Sequence, residues 1–205
     1  GPGRFIEGSL FAVIADEFLP AFYQRMVDAL ADVIIGALDD LGPAELGYVM
    51  ASAPEAHDDR RCEDLEDYTN DTTPLIAVKK AGEVVGLVVS YAIHGTVIGI
   101  DDLTLSADAS GAIEEGIEDR FDHPVTVMML NSWGADVSPS SPDVPPPPIA
   151  TPQASHMDRL ERLGSYMGDV VQAALTTMET TTEPVIESRT VRFPINRAAL
   201  GYTGT

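Results

Sequence analysis

The chain predicts an α/β fold, a mixed β-sheet core flanked by helices, on three observations. Pro124–Leu130 is a near-continuous apolar run, the pattern of a strand buried on both faces of a sheet. Leu75–Val78 and Val84–Tyr91 read as two strands joined through Lys79, Lys80, Gly82 and Glu83, a polar connection short enough for a hairpin. Two long segments carry apolar residues every three to four positions, the period of an amphipathic helix.

The elements follow in order. Phe11–Leu41 is the first helical segment, with Leu19, Phe22, Met26, Leu30, Val33 or Ile34, and Ala37 on one stripe. Asp16 is its expected cap, and Gly42-Pro43 ends it, because Gly weakens helical backbone and Pro cannot continue it. Leu46–Met50 is a short strand. Ala53–Thr73 is acidic and broken, and reads as a long surface loop carrying Arg60, Arg61 and Cys62. After the hairpin, Ser106–Phe121 reads as a helix entered from a Ser106-Ala107-Asp108 turn, with Glu114, Glu115, Glu118 and Asp119 making an acidic face. A proline-rich loop at about 139–155 contains four consecutive prolines, Pro145–Pro148, which exclude helix and central strand. It reads either as an extended linker or as the rim of a cleft. His156–Met178 is the last helix, with Met157, Leu160, Leu163, Tyr166 or Met167, Val170 or Val171, and Ala174 on its apolar stripe. The alternation of Val185, Glu187, Arg189, Val191 and Phe193 predicts a terminal strand over Val185–Phe193.

Charge bounds the function. Across 205 residues, 33 acidic side chains face 12 Lys and Arg, a formal net charge of −21. That balance speaks against a phosphate-backbone partner, which requires basic surface, and against adhesion to anionic membranes by charge. The 44% apolar content is enough for a substantial core. Cys62, the single cysteine, excludes an intrachain disulfide. No run of 18 apolar residues marks a membrane span. The chain opens on Gly1-Pro2-Gly3 without an initiator Met or signal peptide, and the expectation is a processed or truncated piece.

Two apolar runs end in polar chemistry, the first at His94 and the second at Asp136 and Ser138. His94 is followed by Gly95, so a neutral imidazole there has room to approach a metal; a hydrogen-bonded structural histidine is the alternative. His57, His123 and His156 read as incidental. Ser138 precedes Pro139, which restricts the serine to extended backbone and holds its hydroxyl in a defined place. No G-x-S-x-G turn is present, so an activating group must come from elsewhere in the fold. Arg60 and Arg61 either pair locally with the acids around them or orient a substrate carbonyl or carboxylate.

At these positions the sequence resembles the neutral/alkaline (non-lysosomal) ceramidase family. Gly1-Pro2-Gly3 looks like the end of that family's His-Thr-His-Ser-Gly-Pro-Gly-Gly motif. Asp28-Ala29-Leu30 sits in register with its Phe-x-x-x-x-x-Asp-Ala-Leu helix. Tyr91-Ala92-Ile93-His94-Gly95-Thr96 is similar to its histidine signature, Ser106-Ala107-Asp108 falls at its Ser-Gly/Asp-Asp-Asn turn, and Ala135-Asp136-Val137-Ser138-Pro139 matches its Gly-Asp-Val-Ser-Pro-Asn segment. Ala199-Leu200-Gly201-Tyr202 resembles a further Ala-Leu-Gly-Tyr.

The resemblance implies an internal portion, 1–205, of a ceramidase-like catalytic domain and a zinc-dependent amidohydrolase that cleaves the amide of an N-acyl lipid such as ceramide. It implies His94 as a zinc ligand, Ser138 as the residue of attack, and Asp136 and Arg61 as further catalytic residues, with Arg60 an alternative to Arg61. Zinc would polarise the carbonyl and lower the pKa of bound water. The family's other ligands lie in the His-Thr-His motif and at a later Glu and Tyr, none of them in this chain. The resemblance therefore implies other chains of the same precursor completing the domain, and a secreted or periplasmic location. Ala135 and Ser140 replace the family's Gly and Asn. A related hydrolase of a non-sphingoid N-acyl amide or ester, or a non-catalytic acidic scaffold, stays open beside the ceramidase reading.

Overall fold

The computed structural model describes residues 19–59, 70–99, 105–134, 137–140 and 152–192; the side chains of residues 57–58 and 152–155 are not part of that description. The chain divides into two compact units, Gly1–Pro43 and Ala44–Thr205.

In the first unit, α1 runs Pro20–Asp39. Asp16, the expected cap, lies outside the described residues; Leu19 is the N-cap of the described helix, without a side-chain bond, and Pro20 begins it. Proline suits that position because its missing N–H would be unpaired there anyway and its φ is already helical. Asp40 closes the helix, donating to the carbonyls of Gly36 and Leu38 just before Gly42-Pro43.

The second unit is built on a five-stranded sheet in the order β5-β4-β3-β1-β7. Its strands are β1 (Glu45–Ser52), β3 (Thr72–Lys80), β4 (Glu83–Tyr91), β5 (Thr126–Asn131) and the short β7 (Thr180–Thr181). β1, β3 and β4 run antiparallel in turn. The β3–β4 hairpin turns on Ala81 and Gly82, both at positive φ (53° and 89°), a two-residue turn whose backbone twist matches that of the strands. β4 then pairs parallel to β5, from Gly86↔Thr126 to Tyr91↔Asn131. A parallel pair needs a crossover, and α2 (Asp108–Glu118) provides it.

Helices α2 and α3 (Pro152–Leu175) pack on each other, α2 also against β5 and α3 also against β1. The core joins Leu75, Ala77, Leu87, Val89 and Tyr91 of the sheet to Ile113 and Ile117 of α2 and Leu163, Met167 and Val171 of α3. The apolar stripe of α3 is therefore confirmed from Leu160 onward, whereas Met157 is exposed. The helix starts at Pro152 rather than His156, again with proline in the first turn.

The expectation that Pro124–Leu130 is buried on both sides does not hold. Val127 and Met129 are buried, but Met128 and Leu130 are about half exposed, at 51% and 49%. Among the described residues of this unit, β5 is an edge strand and α2 and α3 pack on one face of the sheet. The other face shows aligned rows: Tyr48, Ile76, Val88 and Met128 lie across four strands, flanked by Leu46, Val78, Gly86 and Thr126 on one side and by Met50 beside Pro74 and Ser90 beside Leu130 on the other. No charged residue occupies these positions, in a chain of net charge −21.

The acidic face of α2 is not merely solvated. Glu118 accepts the N–H of Val127 at 2.9 Å and Glu114 that of Met129 at 2.8 Å. Two backbone donors on the outer edge of β5, which no strand among the described residues pairs, are thereby satisfied by carboxylates; an unprotected edge would otherwise recruit other chains.

Two further expectations change. Ala53–Thr73 is not all loop: a 3-10 turn at Pro54–Ala56 leads into β2 (His57–Asp59), which pairs antiparallel with β6 (Val137–Pro139). Arg60, Arg61 and Cys62 lie outside the described residues, as do the proline run 145–148 and Phe193. Val185–Val191 forms no strand: Val185, Ile186 and Val191 are 70–87% exposed, and alternation stabilises a strand only where one face can be buried.

His123 fixes the far end of the sheet. Its Nδ1 lies 3.0 Å from the Asp122 carboxylate and its Nε2 2.8 Å from the Val84 carbonyl. Both partners are acceptors, so only the protonated ring donates to both. The Asp122 carboxylate, with the Val84 carbonyl, accordingly pushes the pKa of His123 up from its ordinary 6.5. A raised folded-state pKa contributes stability that is complete below the unfolded value and is lost as pH rises through the folded one. The melting temperature should thus fall on going from about pH 6 to pH 8, and His123→Gln should flatten that part of the profile; an unchanged slope in the variant would remove His123 as its cause.

Candidate functional site

The parallel strands β4 and β5 end side by side at Tyr91 and Asn131, where an α/β sheet presents its reactive groups. The two segments leaving them are stitched together. Ser132 donates its N–H to the Tyr91 carbonyl at 2.9 Å, and Asn131 Oδ1 accepts the N–H of Ile93 at 3.2 Å. Gly134 then lies flat on the other segment: a Cβ there would sit 2.5 Å from the Ile93 nitrogen. Only glycine allows that approach.

From this crossing the chain reaches β6. Val137 donates to the Gly134 carbonyl, and the Val137 carbonyl accepts the N–H of His94 at 3.0 Å. Ser138 is the next residue, half-buried, with Asp58 of β2 as its pairing partner. The structure therefore brings together the two residues singled out from sequence, His94 and Ser138, although 43 positions separate them. His94 itself is exposed. Arg61 and Asp136 lie outside the described residues and are placed by neither element.

Below this pair the scaffold is cross-tied by hydrogen bonds. Tyr91 is fully buried and donates its hydroxyl to the Ala53 carbonyl at 2.6 Å, and burial, with Tyr166 and Asp71 nearby, pushes its pKa upward. That bond fixes the start of the 3-10 turn that leads to β2. Ser140 donates its N–H to the Ala56 carbonyl from the other side, and Arg159 of α3 donates to the Pro139 carbonyl at 3.1 Å. β6, and with it Ser138, is held from three directions.

The loop after His94 is tied from the helix side. Asp108, at the start of α2, accepts the N–H of Val97 on Oδ1 and that of Ile98 on Oδ2, each at 3.0 Å. Sequence reading placed a turn at Ser106-Ala107-Asp108 but gave this carboxylate no partner, and it gave no role to Asn131, Gly134 or Arg159. A single acid at a turn carries no local sign of what it bonds; Gly134, between Trp133 and Ala135, is the one position whose residue type signals close backbone approach.

A groove of about 470 Å³ lies elsewhere, between α2 and α3, lined by Asp108, Glu115, Asp119, Arg120, Leu160 and Glu161 among others. Its lining includes neither His94 nor Ser138, and Arg120 ties the two helices, bonding Ser165 and pairing with Asp169 at 2.7 Å.

Zinc was expected at His94. Among the described residues, no three His, Cys, Asp or Glu side chains converge to hold a metal ion. A zinc site needs three or four protein ligands, so the described residues do not make one; His94 can supply one ligand. No helix among the described residues is long and apolar enough to cross a membrane.

Comparison with known proteins places the fold. The chain is similar to a solved neutral ceramidase from Pseudomonas aeruginosa, with a TM-score of 0.67 and 17% identity over 78% of this chain and 27% of that one. A ceramidase complexed with C2 matches equally, over 26% of its chain. At this identity the likeness is one of fold, and the chain spans about a quarter of the length of these structures. No family model and no curated protein sequence matches the chain.

Proposed function

We propose that this chain is part of the catalytic domain of a hydrolase that cleaves the amide bond of an N-acyl lipid such as ceramide, acting with zinc. The observation that carries the reading is the hydrogen bond from His94 to Val137, which seats a histidine and a serine together at the ends of two parallel strands in a fold shared with neutral ceramidase. Each residue has a role in this reading. Ser138, on a strand held by its pairing with Asp58, by the Ser140 N–H on the Ala56 carbonyl and by the Arg159 guanidinium on the Pro139 carbonyl, presents its hydroxyl for attack on the amide carbon or for positioning of the amide. His94 contributes one metal ligand, and its exposure suits a ligand shared with groups outside the described residues. Asp136, two residues before Ser138, and Arg61, which orients the substrate carbonyl, complete the proposed set.

Companion segments of the same precursor supply the remaining ligands. The uncharged outer face of the sheet supports this part of the proposal. Large exposed apolar patches mark interaction surfaces, and a chain covering 27% of the matched structure leaves ample polypeptide to cover one. Secretion or export to the periplasm accompanies this reading. A related activity on a non-sphingoid N-acyl amide or ester uses the same groups; the products released distinguish it.

Native mass spectrometry and elemental analysis of the assembled protein, with product analysis on a panel of N-acyl amides and esters, test the proposal. One equivalent of zinc and release of fatty acid from an N-acyl sphingoid base are expected. Release only from other amides or esters selects the related hydrolase. An assembly without metal, in which Ser138→Ala changes nothing, is the acidic scaffold and ends the hydrolase reading.

A further inference from the structure

The loop carrying His94 has two attachments of its own. At one end the His94 N–H bonds the Val137 carbonyl, beside Ser138. At the other, both carboxylate oxygens of Asp108 are occupied by adjacent loop amides, Val97 on Oδ1 and Ile98 on Oδ2. Between them the chain folds tightly, Thr96 donating its N–H to the His94 carbonyl at 2.9 Å. Only two residues, Gly95 and Thr96, separate the first attachment from the second, so little slack remains.

Asp108 is itself fixed. Its N–H donates to Ser106 Oγ at 2.9 Å, and its Oδ1 also accepts the N–H of Ala109 at 2.6 Å. Its backbone sits at φ 51°, a left-handed conformation that costs energy for most residues and that Asp tolerates better than most. The next residue, Ala109, is fully buried in the core, as is Val97 on the loop at 3% exposure. The carboxylate thus couples the core-anchored start of α2 to the loop, and bonds from backbone N–H to an ionised acceptor are roughly twice as strong as neutral ones.

We infer that Asp108 is the positioning residue of the site: it sets the distance of His94 from Ser138 by holding the loop from the side opposite β6. The inference rests on the reading of His94 and Ser138 as one site, and it adds the residue that keeps them in register. Asparagine in the same place keeps one neutral acceptor oxygen and turns the other into an NH2 donor, so one of the two positions that now accept from Val97 and Ile98 is lost. Glycine keeps the left-handed backbone without strain and removes both bonds.

Amide hydrogen exchange and the ring resonances of His94, measured by NMR on the full chain, test it without any substrate or metal. In Asp108→Gly, exchange at Val97, Ile98 and also His94 should rise roughly tenfold or more, the loss of about one or two charge-assisted bonds. The His94 ring signals should move, while the Val89 amide in the core stays protected. Asp108→Asn should lie between the two. If His94 exchanges as in the wild type and its ring signals stay put while Val97 and Ile98 open, Asp108 merely ties the loop and the inference fails. Should Asp108→Gly not fold, Asp108→Asn decides by the same signals. The readout is the position of His94 and not turnover, so its failure leaves the hydrolase reading standing, and failure of the hydrolase reading leaves these signals unchanged.

Discussion

Replacing His94 with alanine is expected to abolish zinc binding and hydrolysis in the assembled protein while leaving the fold intact. The two effects separate because of where His94 sits. Its side chain is exposed, and its contribution to the fold is a backbone N–H bonded to the Val137 carbonyl, which alanine retains. Substitutions at exposed side chains with no packing role change stability by only about 0.5 kcal/mol. The lost function should be large by comparison, because a zinc site of three or four ligands tolerates the loss of one poorly. Zinc content by elemental analysis, activity on the cleaved N-acyl substrate and the urea midpoint of the same preparation give the three readings. Full zinc occupancy in the variant would remove His94 from the site; a collapsed midpoint would make it structural.

The second large effect is on stability. Gly116→Ala should lower the unfolding free energy by on the order of 2 kcal/mol, balancing overpacking of about 3 kcal/mol against helix propensity. Helices α2 and α3 cross so closely that a Cβ on Gly116 would overlap the backbone of Gly164, and one on Gly164 would overlap the Ala112 carbonyl. A clash with backbone cannot be relieved by a rotamer change, so the overpacking cost belongs at the upper end of its range. The intrinsic preference of a helix for alanine over glycine, about 1 kcal/mol, offsets only part of it. Urea denaturation should show a lower midpoint with an unchanged slope. An equal or higher midpoint would mean that the helices separate at little cost. Because α2 carries Asp108 at its first turn, the same variant should also loosen the His94 loop.

Much of the architecture was legible in the residues. Period-two and period-3.6 patterns located β1, the β3–β4 hairpin, α2, β5 and α3, since each of these signals is local: it depends on which face of one element is apolar. Gly82 marked its turn because a positive φ favours one residue type. The same local logic failed where the deciding partner was distant. The apolar run of β5 reads as doubly buried, yet its outer face is open, because nothing in a strand's own sequence states what covers it. The alternation over Val185–Phe193 finds no sheet edge among the described residues. β2 is three residues long and exists only because β6 lies beside it.

The candidate site divides along the same line. The polar ends of two apolar runs singled out His94 and Ser138, the family resemblance implied their roles, and the acidic balance spoke against a nucleic-acid partner. Their meeting is a tertiary fact, produced by the parallel pairing of β4 with β5 and by the glycine crossing at Gly134 that carries the chain back to Val137. Asp108, Asn131 and Arg159 acquired partners only there. Hydrogen bonds to backbone groups far along the chain impose no spacing on the sequence. A carboxylate that anchors a loop and one that meets only water are therefore the same letter until the fold places them.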